Sequence, residues 1–598
     1  MNVLIPLLAG LGLLFVAAKT YPFYLSRKLG VDDHNVTPAY RMQDGRDYVP
    51  TRTHVVFAHH FSVIAGAGPI VGPTLALAYG WAPAWLWIVV GCVLFGAVHD
   101  MTSMFVSMRE EGRSIADMAR RSLGGWGYMF FLAFLIMILT LINAIFLNLS
   151  CKALTAAYPA SLLKLEEGSH ILTTFVKDGV LMGRIGGIAT TSVFVITAFA
   201  PLIGWLVHKR HWPTGLLYVI ATVTCVTSIL VGFKFPILLT EGTWRYVMSI
   251  YVFIACWFPV WLILQPRDFV NVQLLYGGLL LMFVGVILYG CQGNTLHAAF
   301  ALVGEGQTLT GPIWPFLFIT VACGAISGFH SLAATGTTVK QIGRESEVRR
   351  VGYNAMILEG VLALLALLLT ASALPRVEYM NIVFPANHDG NPILAFSIAM
   401  GYMLNNVAAI PVALGSVLGI LVLEGFVVTT LDTSIRLCRY MFEEFWVFLF
   451  QDRRIGLLKN PFVNTALAVA LMLFFALNST IMSAWKIFGA GNQLIAALAM
   501  TVVTVWLLQR GRSFWFTIIP ALLMTITTFA TLITSIKKNL APVGSEQLIV
   551  PGQGPLTAAS ALLLVLAVGV IFVSAKRFGE GYLAQRLAAS SVQGDPGL

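Results

Sequence analysis

The sequence predicts an all-α polytopic membrane protein, and three observations support that class: composition, segment length and the placement of charge. Of the 598 residues, 58% are hydrophobic and only 11% are charged, which is too little charge to cover the surface of a soluble chain. The apolar residues occur in runs of about 20, the length that crosses a hydrocarbon core about 30 Å thick. We therefore interpret the net charge of +10 as a topology signal, not as a sign of nucleic-acid binding.

Hydropathy predicts about fifteen transmembrane helices. They are placed near residues 3–19, 55–79, 82–106, 127–156, 187–207, 213–233, 246–264, 273–291, 313–337, 351–373, 408–435, 462–478, 487–508, 514–534 and 556–575. Segment 392–407 is also apolar, but a full crossing there would move Arg439, Arg453, Arg454 and Lys459 to the outer side. We therefore expect 392–407 to be an outer surface or re-entrant segment.

The distribution of basic residues predicts the orientation. If loop 19–53 is cytoplasmic, the inner segments contain 27 Lys and Arg and the outer segments contain 9, as the positive-inside rule requires. This places the N-terminus outside and the C-terminus in the cytoplasm. Segment 3–18 lacks a basic leader and a small-residue cleavage site, so we expect a retained helix.

The residues argue against an ATP-driven pump and against a disulfide framework or zinc site. The chain contains no phosphate-binding loop of the GxxxxGK[ST] type, which argues against an ATP-driven pump within it. The seven cysteines occur singly, without a CxxC pair, so packing roles are expected rather than a disulfide framework or a zinc site. Any energy that its activity requires would then come from an ion gradient or from a partner.

Helix-breaking residues interrupt three of the predicted spans. They lie in "FAHHFSVIAGAGPIVGP" (57–73), "CWFPVWLILQPRD" (256–268) and "ACGAISGFHSLAATGTT" (322–338). Broken backbone in a bilayer leaves amides and carbonyls without partners, at several kcal/mol each, unless protein, water, ion or substrate binds them. Close helix packing through small residues is the alternative interpretation, but three breaks together favour a binding site. The first break has the opposite predicted orientation to the other two, as a five-helix inverted repeat would require.

Five ionisable residues are predicted within the membrane, in the inner third of their spans: His60, His99, Asp100, His330 and Glu359. Such residues are costly in a span and are functional candidates by default. Histidine titrates near neutral pH, so a His–Asp layer is suited to carry a coupling proton. A structural hydrogen bond that fixes the broken helix remains the alternative, and we prefer it for His59.

The chain resembles the carbon starvation protein A family of bacterial inner-membrane transporters. The resemblance rests on the first and third stretches above, and on "VHDMTSMFVSMREEGRSIADMA", "PVWLILQPRDF", "LEGFVVTTLDTSIRLCRY" and "FGAGNQLIAALAM". It implies uptake of small carbon and nitrogen sources during nutrient starvation, with peptides and pyruvate as associated substrates. It also implies similarity to the amino acid–polyamine–organocation superfamily, whose core is a leucine-transporter-type inverted repeat with discontinuous helices.

The resemblance further implies a division of the chain and a set of site residues. Residues 1–54 would be an extra helix and cytoplasmic loop, 55–440 the transport core, and 441–598 the C-terminal helices. Helices 55–79, 246–264 and 313–337 would be core helices 1, 6 and 8. The implied substrate-binding residues are Gly66, Ala67, Gly68, Trp257, Pro259 and Trp261. The implied ion-binding residues are Ala65, Ser327, Ser331, Thr337 and Thr338, beside the ionisable layer.

The sequence therefore predicts a secondary transporter, not an enzyme, that imports pyruvate, a related carboxylate or short peptides with H⁺ or Na⁺. Its partners would be that small molecule and the lipid bilayer, with no nucleic acid and no bound cofactor. Two alternatives remain open. One is a membrane nutrient sensor without transport, and the other is a redox protein whose histidines bind haem on facing helices. The exact substrate, the coupling ion and the oligomeric state do not follow from the sequence.

Overall fold

Long apolar helices make up most of the chain. The computed structural model describes residues 1–44, 48–165, 172–210, 212–259, 262–386, 389–450, 456–540 and 554–593. Within these residues, eleven helices are long and apolar enough to cross a membrane, or twelve when one bent helix pair is counted as a span. The chain is therefore a multi-pass membrane protein, and the prediction of about fifteen spans is too high.

The helices, numbered in chain order, are α1 Leu4–Leu29, α2 Pro38–Arg41, α3 Thr53–Ile64, α4 Gly68–Ala76, α5 Trp81–Gly91, α6 Ala97–Arg109, α7 Ile115–Leu154, α8 Gly186–His208, α9 Thr214–Lys234, α10 Glu241–Ala255, α11 Leu264–Cys291, α12 Val303–Leu309, α13 Ile313–Thr320, α14 Ala322–Ala325, α15 Phe329–Gly336, α16 Asn354–Ala373, α17 Arg376–Val383, α18 Pro392–Ala408, α19 Val412–Phe450, α20 Pro461–Leu477, α21 Ile481–Gln509, α22 Trp515–Leu540 and α23 Gly554–Gln593. Short 3₁₀ or π turns cover Leu77–Tyr79, Cys92–Gly96, Thr338–Gln341, Glu345–Glu347 and Arg349–Tyr353.

Three of the fifteen predicted spans do not form helices of spanning length. The span predicted at 246–264 is α10, whose 15 residues reach only about 22 Å at 1.5 Å per residue. It ends before Pro259, which has no N–H to continue a helix. The span predicted at 462–478 is α20, with 17 residues. The span predicted at 313–337 is divided into α13, α14 and α15.

The first predicted break lies between α3 and α4, which form a pair bent by 48°. Ala65 and Gly66 end the regular hydrogen bonding, since the Gly66 amide bonds back only two residues to the Ile64 carbonyl, at 2.8 Å. Pro69 occupies the first turn of α4, where its missing N–H costs no helical bond. The glycine- and proline-rich stretch therefore breaks the helix at bilayer depth.

The break predicted within 322–338 lies between α14 and α15, and this segment packs against the first break. A Cβ built on Gly68 would lie 2.4 Å from Cys323 of α14, and one on Gly72 would lie 2.6 Å from the Thr320 carbonyl oxygen. Both contacts are closer than side chains tolerate. These two glycines therefore permit two interrupted segments to touch backbone to backbone.

Two long helices, α7 and α19, run antiparallel through the centre. Ser150 of α7 donates to Glu424 of α19 near one end of the pair, and Tyr128 donates to Glu444 near the other. These two contacts are about 33 Å apart along α7, at 1.5 Å per residue. Most of their residues are buried. The Ser114 side chain caps α7 by accepting from the Asp117 amide, as the "SIAD" pattern predicts.

A small antiparallel sheet lies between α7 and α8 and was not predicted. Its strands are β1 Ala157–Pro159, β2 Thr173–Lys177 and β3 Val180–Arg184, in the order β1-β3-β2. Asp178 and Gly179, both with positive φ, form the β2–β3 turn. An Asp-Gly pair between alternating residues is a strong hairpin signal, so the sequence contained the information.

The apolar segment 392–407 forms α18, a 17-residue helix. Asn391 at its start donates to the Lys152 carbonyl, and Asn406 near its end contacts Asn294. These contacts identify the neighbours of α18, and the expectation that it is re-entrant stays a prediction. Its side chains are mostly buried and pack against α19 and α16, so it is not an outer surface segment.

Candidate functional site

A cavity lies between the two broken segments, and we call it the break cavity. It is lined by Val63, Ile64, Gly66, Gly68, Pro69, Ile142, Phe146, Cys323, Ser327, Phe329, Thr430, Phe488 and Asn492. The start of α4 at Gly68 opens onto it, so the positive end of the dipole of that half-helix faces the cavity. Ser327 and Asn492 hydrogen-bond to each other at its wall, with 3.0 Å between Asn492 Nδ2 and Ser327 Oγ.

A second cavity adjoins the first, and we call it the hydroxyl cavity. It is lined by Ser62, Val63, Asp268, Asn271, Val272, Leu275, Phe329, Val422, Gly425, Phe426, Thr429, Thr430 and Thr433. Val63, Phe329 and Thr430 line both cavities. The two spaces therefore adjoin at the break between α3 and α4, and a few polar side chains interrupt otherwise apolar walls in both.

Four of the predicted ionisable residues form one buried cluster, which we call the ionisable cluster: His99, Asp100, His330 and Glu359. Asp100 accepts at both oxygens, from His99 Nδ1 at 2.8 Å and from His330 Nδ1 at 2.8 Å. All four side chains are at most 1% exposed. Histidines that donate through Nδ1 to a carboxylate leave Nε2 for a second proton.

Glu359 completes the ionisable cluster on the other side of His330. Its Oε2 lies 3.1 Å from His330 Nε2, although neither Glu359 oxygen has a partner in hydrogen-bonding alignment. At this distance a bare nitrogen lone pair and a bare carboxylate oxygen would repel each other. One proton therefore belongs between the two atoms, on either side chain.

His60 lies beside the ionisable cluster rather than in it. Its Nδ1 is 3.0 Å from Thr338 Oγ1, and that hydroxyl donates to the Ala333 carbonyl, so the imidazole is the donor of the pair. Asp100 and His330 are within electrostatic reach of His60. His59, the neighbouring residue, has a buried Nε2 without a partner among the described residues.

The hydroxyls implied by the family resemblance have local hydrogen bonds or line a cavity. Ser331 donates to the Gly328 carbonyl and Thr337 to the Ala333 carbonyl, both within their own segment. Ser327 lines the break cavity. Ala65 is buried at the end of α3. An ion-binding role for these residues stays a prediction.

The aromatic stretch after α10 lies away from both cavities. Trp257 is 56% exposed and packs edge-to-face against Phe462 of α20, with 4.8 Å between ring centroids. Pro259 is also exposed, and Trp261 lies outside the described residues. Gly66 and Gly68 line the break cavity, and Ala67 between them is buried. Among the residues implied to bind substrate, those at the first break are therefore at the cavity and the described ones after α10 are not.

One buried ion pair joins α11 and α19 rather than two residues of the same helix. Asp432 is i,i+4 to Arg436 but pairs with Arg267 of α11, and Tyr251 donates to the same carboxylate. Arg436 instead donates to the carbonyls of Ala255 and Phe258 at the end of α10. Buried guanidinium groups take the partners that tertiary packing offers, which helix spacing alone does not indicate.

Sequence reasoning missed several cavity residues. Asn492 lies in the quoted stretch "FGAGNQL", and Thr429, Thr430 and Thr433 form the hydroxyl run of "TTLDT". The free-energy cost of an uncharged amide or hydroxyl in a span is small compared with that of a charged group, so it does not mark a candidate site. Asp268, which follows Arg267 near the start of α11, also lines the hydroxyl cavity.

The fold and the site together define a class: a polytopic membrane transport protein with interrupted helices around a central cavity. The family model "Carbon starvation protein CstA" matches residues 2–391 and 386–531. The chain therefore belongs to the carbon starvation protein CstA family, a family of transporters rather than enzymes.

Two relatives from Escherichia coli (strain K12) show the range of the family. The peptide transporter CstA is 30% identical over 593 residues, which cover 88% of this chain and 80% of the relative. The pyruvate/proton symporter BtsT is 29% identical over 600 residues, which cover 87% of this chain and 80% of the relative.

Among solved structures, MhsT in complex with L-phenylalanine aligns with 88% of this chain and 98% of its own, at 13% identity. Its TM-score of 0.41 is too low to establish a shared fold. The leucine-transporter-type repeat therefore remains a proposal.

Proposed function

We propose that this protein is a secondary active transporter that imports a small carboxylate or short peptide with a proton. The observation that carries the proposal is the ionisable cluster. Its member His330 follows directly after Phe329, which lines both cavities. Relatives named peptide transporter and pyruvate/proton symporter support the two substrate classes. We place the protein in a bacterial inner membrane, with its N-terminus outside and C-terminus inside, serving nutrient uptake in starvation.

The substrate's carboxylate end is proposed to lie in the break cavity. Gly66 and Gly68 line it, and the positive end of the α4 half-helix dipole would stabilise a negative group there. Thr430 lies next to Gly66, since a Cβ on that glycine would be 3.2 Å from its hydroxyl oxygen. The helix dipole and one hydroxyl would thus replace water around the carboxylate.

The coupling proton is proposed to bind between His330 and Glu359. With one proton there and Asp100 ionised, the ionisable cluster has one net negative charge, and a second proton makes it neutral. A buried cluster strongly favours neutrality because water cannot solvate its charge. His330 lies in the first turn of α15, immediately after Phe329 of the cavity wall, so proton uptake would bias the position of that half-helix.

The arrangement of the core is also part of the proposal. We retain a leucine-transporter-type repeat within residues 55–440, with 1–54 and 441–598 as additions. The two broken segments that touch each other are 53–79 and 313–336, whereas residues 256–263 connect α10 to α11. We therefore propose the former two as the paired discontinuous helices.

Uptake into proteoliposomes tests the proposed function. Radiolabelled pyruvate and L-alanyl-L-alanine are supplied with an inward proton gradient, an inward Na⁺ gradient, or neither. We expect accumulation of at least one solute above its external concentration with the proton gradient, and collapse after addition of a protonophore. Accumulation that depends on Na⁺ alone would contradict proton coupling. Binding without accumulation would indicate a nutrient sensor instead.

A further inference from the structure

The two cavities offer a solute one charged lining side chain among the described residues, the carboxylate of Asp268. That side chain is 30% exposed, whereas its neighbour Arg267 is 1% exposed. The break cavity has an uncharged lining. The only full charge that can face a solute in these spaces is therefore negative.

The charges behind Asp268 leave that carboxylate incompletely compensated. Arg267 forms its close pair with Asp432, and its Nη2 is 3.6 Å from Asp268 Oδ1. One guanidinium thus serves two carboxylates, and Oδ1 of Asp432 is buried without a hydrogen-bond partner. Asp268 therefore has only a shared guanidinium as its counter-charge, and a carboxylate in this position attracts a cation to the hydroxyl cavity.

The hydrogen bonds around Asp268 indicate which kind of cation fits. Thr429 donates to Asp268 Oδ1 at 3.0 Å and accepts from Asn271 Nδ2 and Arg267 Nη2, each at 3.4 Å. Both lone pairs of this hydroxyl are therefore occupied, and it is a poor ligand for a metal cation, which takes several oxygen ligands. Asp268 Oδ2 and the amide oxygen of Asn271 accept no hydrogen bond from the described residues. Two hydrogen-bond acceptors beside an incompletely compensated charge suit an ammonium group, which brings its own donors.

We propose that Asp268 and Asn271 bind the ammonium group of the transported substrate. The inference rests on the proposed function, since it assigns these cavities to the transported solute. The cavity wall beyond the polar end is apolar, with Leu275 and Phe426 among its members, and it accepts the hydrocarbon part of the molecule. With the carboxylate at the start of α4, the site selects a zwitterion over a simple monocarboxylate.

Binding to purified protein in detergent tests the inference without a gradient. The probes are L-alanyl-L-alanine, N-acetyl-L-alanyl-L-alanine and pyruvate, titrated by intrinsic tryptophan fluorescence in choline chloride and again in NaCl. We expect the free dipeptide to bind about tenfold to a hundredfold more tightly than its acetylated form, the usual effect of losing one charge-assisted hydrogen bond. Equal binding of the two dipeptides, or tighter binding of pyruvate, would overturn the inference.

Variants at Asp268 assign the effect to this residue. Asp268→Asn should weaken binding of the free dipeptide by a similar factor, leave the acetylated dipeptide unchanged, and recover in part in Asp268→Glu. Glu580→Gln, at an exposed carboxylate on α23, is the matched control and should bind like the wild type. A uniform loss for all three probes in Asp268→Asn, with unchanged thermal unfolding, would contradict amine recognition. A Na⁺ dependence abolished by that variant would also contradict it.

Failure of the ammonium-site inference can be distinguished from failure of the proposed transport function. Proton-driven accumulation of pyruvate that is unaffected by Asp268→Asn would preserve the proposed function and refute the ammonium site. Loss of gradient-driven uptake for every solute, with ammonium-dependent binding intact, would preserve the site and refute transport.

Discussion

At the scale of single residues, Glu359 is the most informative position. It is fully buried, and neither oxygen has a hydrogen bond in good alignment. A buried carboxylate normally has partners because desolvation is otherwise costly. A site that leaves it with only His330 nearby is better suited to gaining and losing a proton than to holding a helix in place.

Replacement of Glu359 by Gln should separate proton coupling from substrate binding. The amide has nearly the same volume but cannot take up a proton, so we expect accumulation driven by a proton gradient to fall by at least tenfold. Exchange of labelled for unlabelled solute across the membrane, with no gradient, should persist because both states can still bind substrate.

Glu305→Gln is the control for this experiment, since Glu305 forms a partly exposed pair with Arg376 and exposed pairs contribute little. Equal gradient-driven accumulation in Glu359→Gln and the control would show that Glu359 is structural.

Much of the ionisable cluster could be predicted from the sequence, whereas the uncharged residues that line the cavities could not. Asp100, His330 and Glu359 are identified because any ionisable residue in an apolar run is costly. Asn492 and Thr429 escape that test because amides and hydroxyls are common in membrane helices. That Asp432 pairs with Arg267 rather than Arg436 depends on packing between α11 and α19, which lie far apart in sequence.

At the scale of elements, the close approach of α4 and α14 determines the shape of the break cavity. Gly68 faces Cys323 at a distance that excludes a Cβ atom. A larger residue there would separate the two broken segments and enlarge the space between them.

Gly68→Ala should therefore destabilise the protein by about 1–3 kcal/mol, the usual cost of overpacking a tight contact. Thermal unfolding in detergent measures the loss, and the second change Cys323→Gly should restore most of it by making room. Gly336→Ala is the matched control, because a Cβ there meets no atom within 4 Å. Equal unfolding temperatures for the two alanine variants would contradict the contact.

Element boundaries were predictable where apolar length alone decides them. The bounds of α8 and α9 agree with the predicted spans within a few residues. Hydropathy does not show where a helix ends within a continuous apolar segment. The sequence therefore predicted full spans for α10 and for the α13–α15 region. The short sheet was overlooked because its hairpin is flanked by long helices, although Asp178 and Gly179 mark its turn.

At the scale of the whole molecule, two sets of loops gather on opposite sides. Arg109 binds Glu345, and Thr51 pairs with Ile342, which joins segments predicted to be cytoplasmic. Asn2 pairs with Thr295, and Tyr158 binds Glu378, which joins segments predicted to be outside. The basic-residue bias then assigns the first set to the cytoplasm.

Cysteine labelling of intact cells tests this orientation. In a Cys291→Ala background, which removes the exposed native thiol, Asp178→Cys in the β2–β3 turn should react with a membrane-impermeant maleimide. Asp33→Cys, in the loop after α1, should react only after the cells are permeabilised. The reverse pattern would show that the chain is inserted the other way.

The overall architecture was predictable only in part. The multi-pass helical class follows directly from composition, because the bilayer permits few alternatives. The contact between residues 53–79 and 313–336 did not follow, since hydropathy carries no information about which spans are neighbours. The predicted orientations allowed 55–79 to be related to either of the two later breaks. Only the packing in the structure distinguishes between those two.

Substrate-induced proton movement is the most direct test of proton-coupled transport. Proteoliposomes that contain a pH-sensitive dye are given pyruvate or L-alanyl-L-alanine from outside, at equal initial pH and with K⁺ and valinomycin to clamp the potential. We expect the interior to acidify when a transported solute is added, and Glu359→Gln to abolish the signal. Solute entry at an unchanged internal pH would contradict proton coupling through the ionisable cluster.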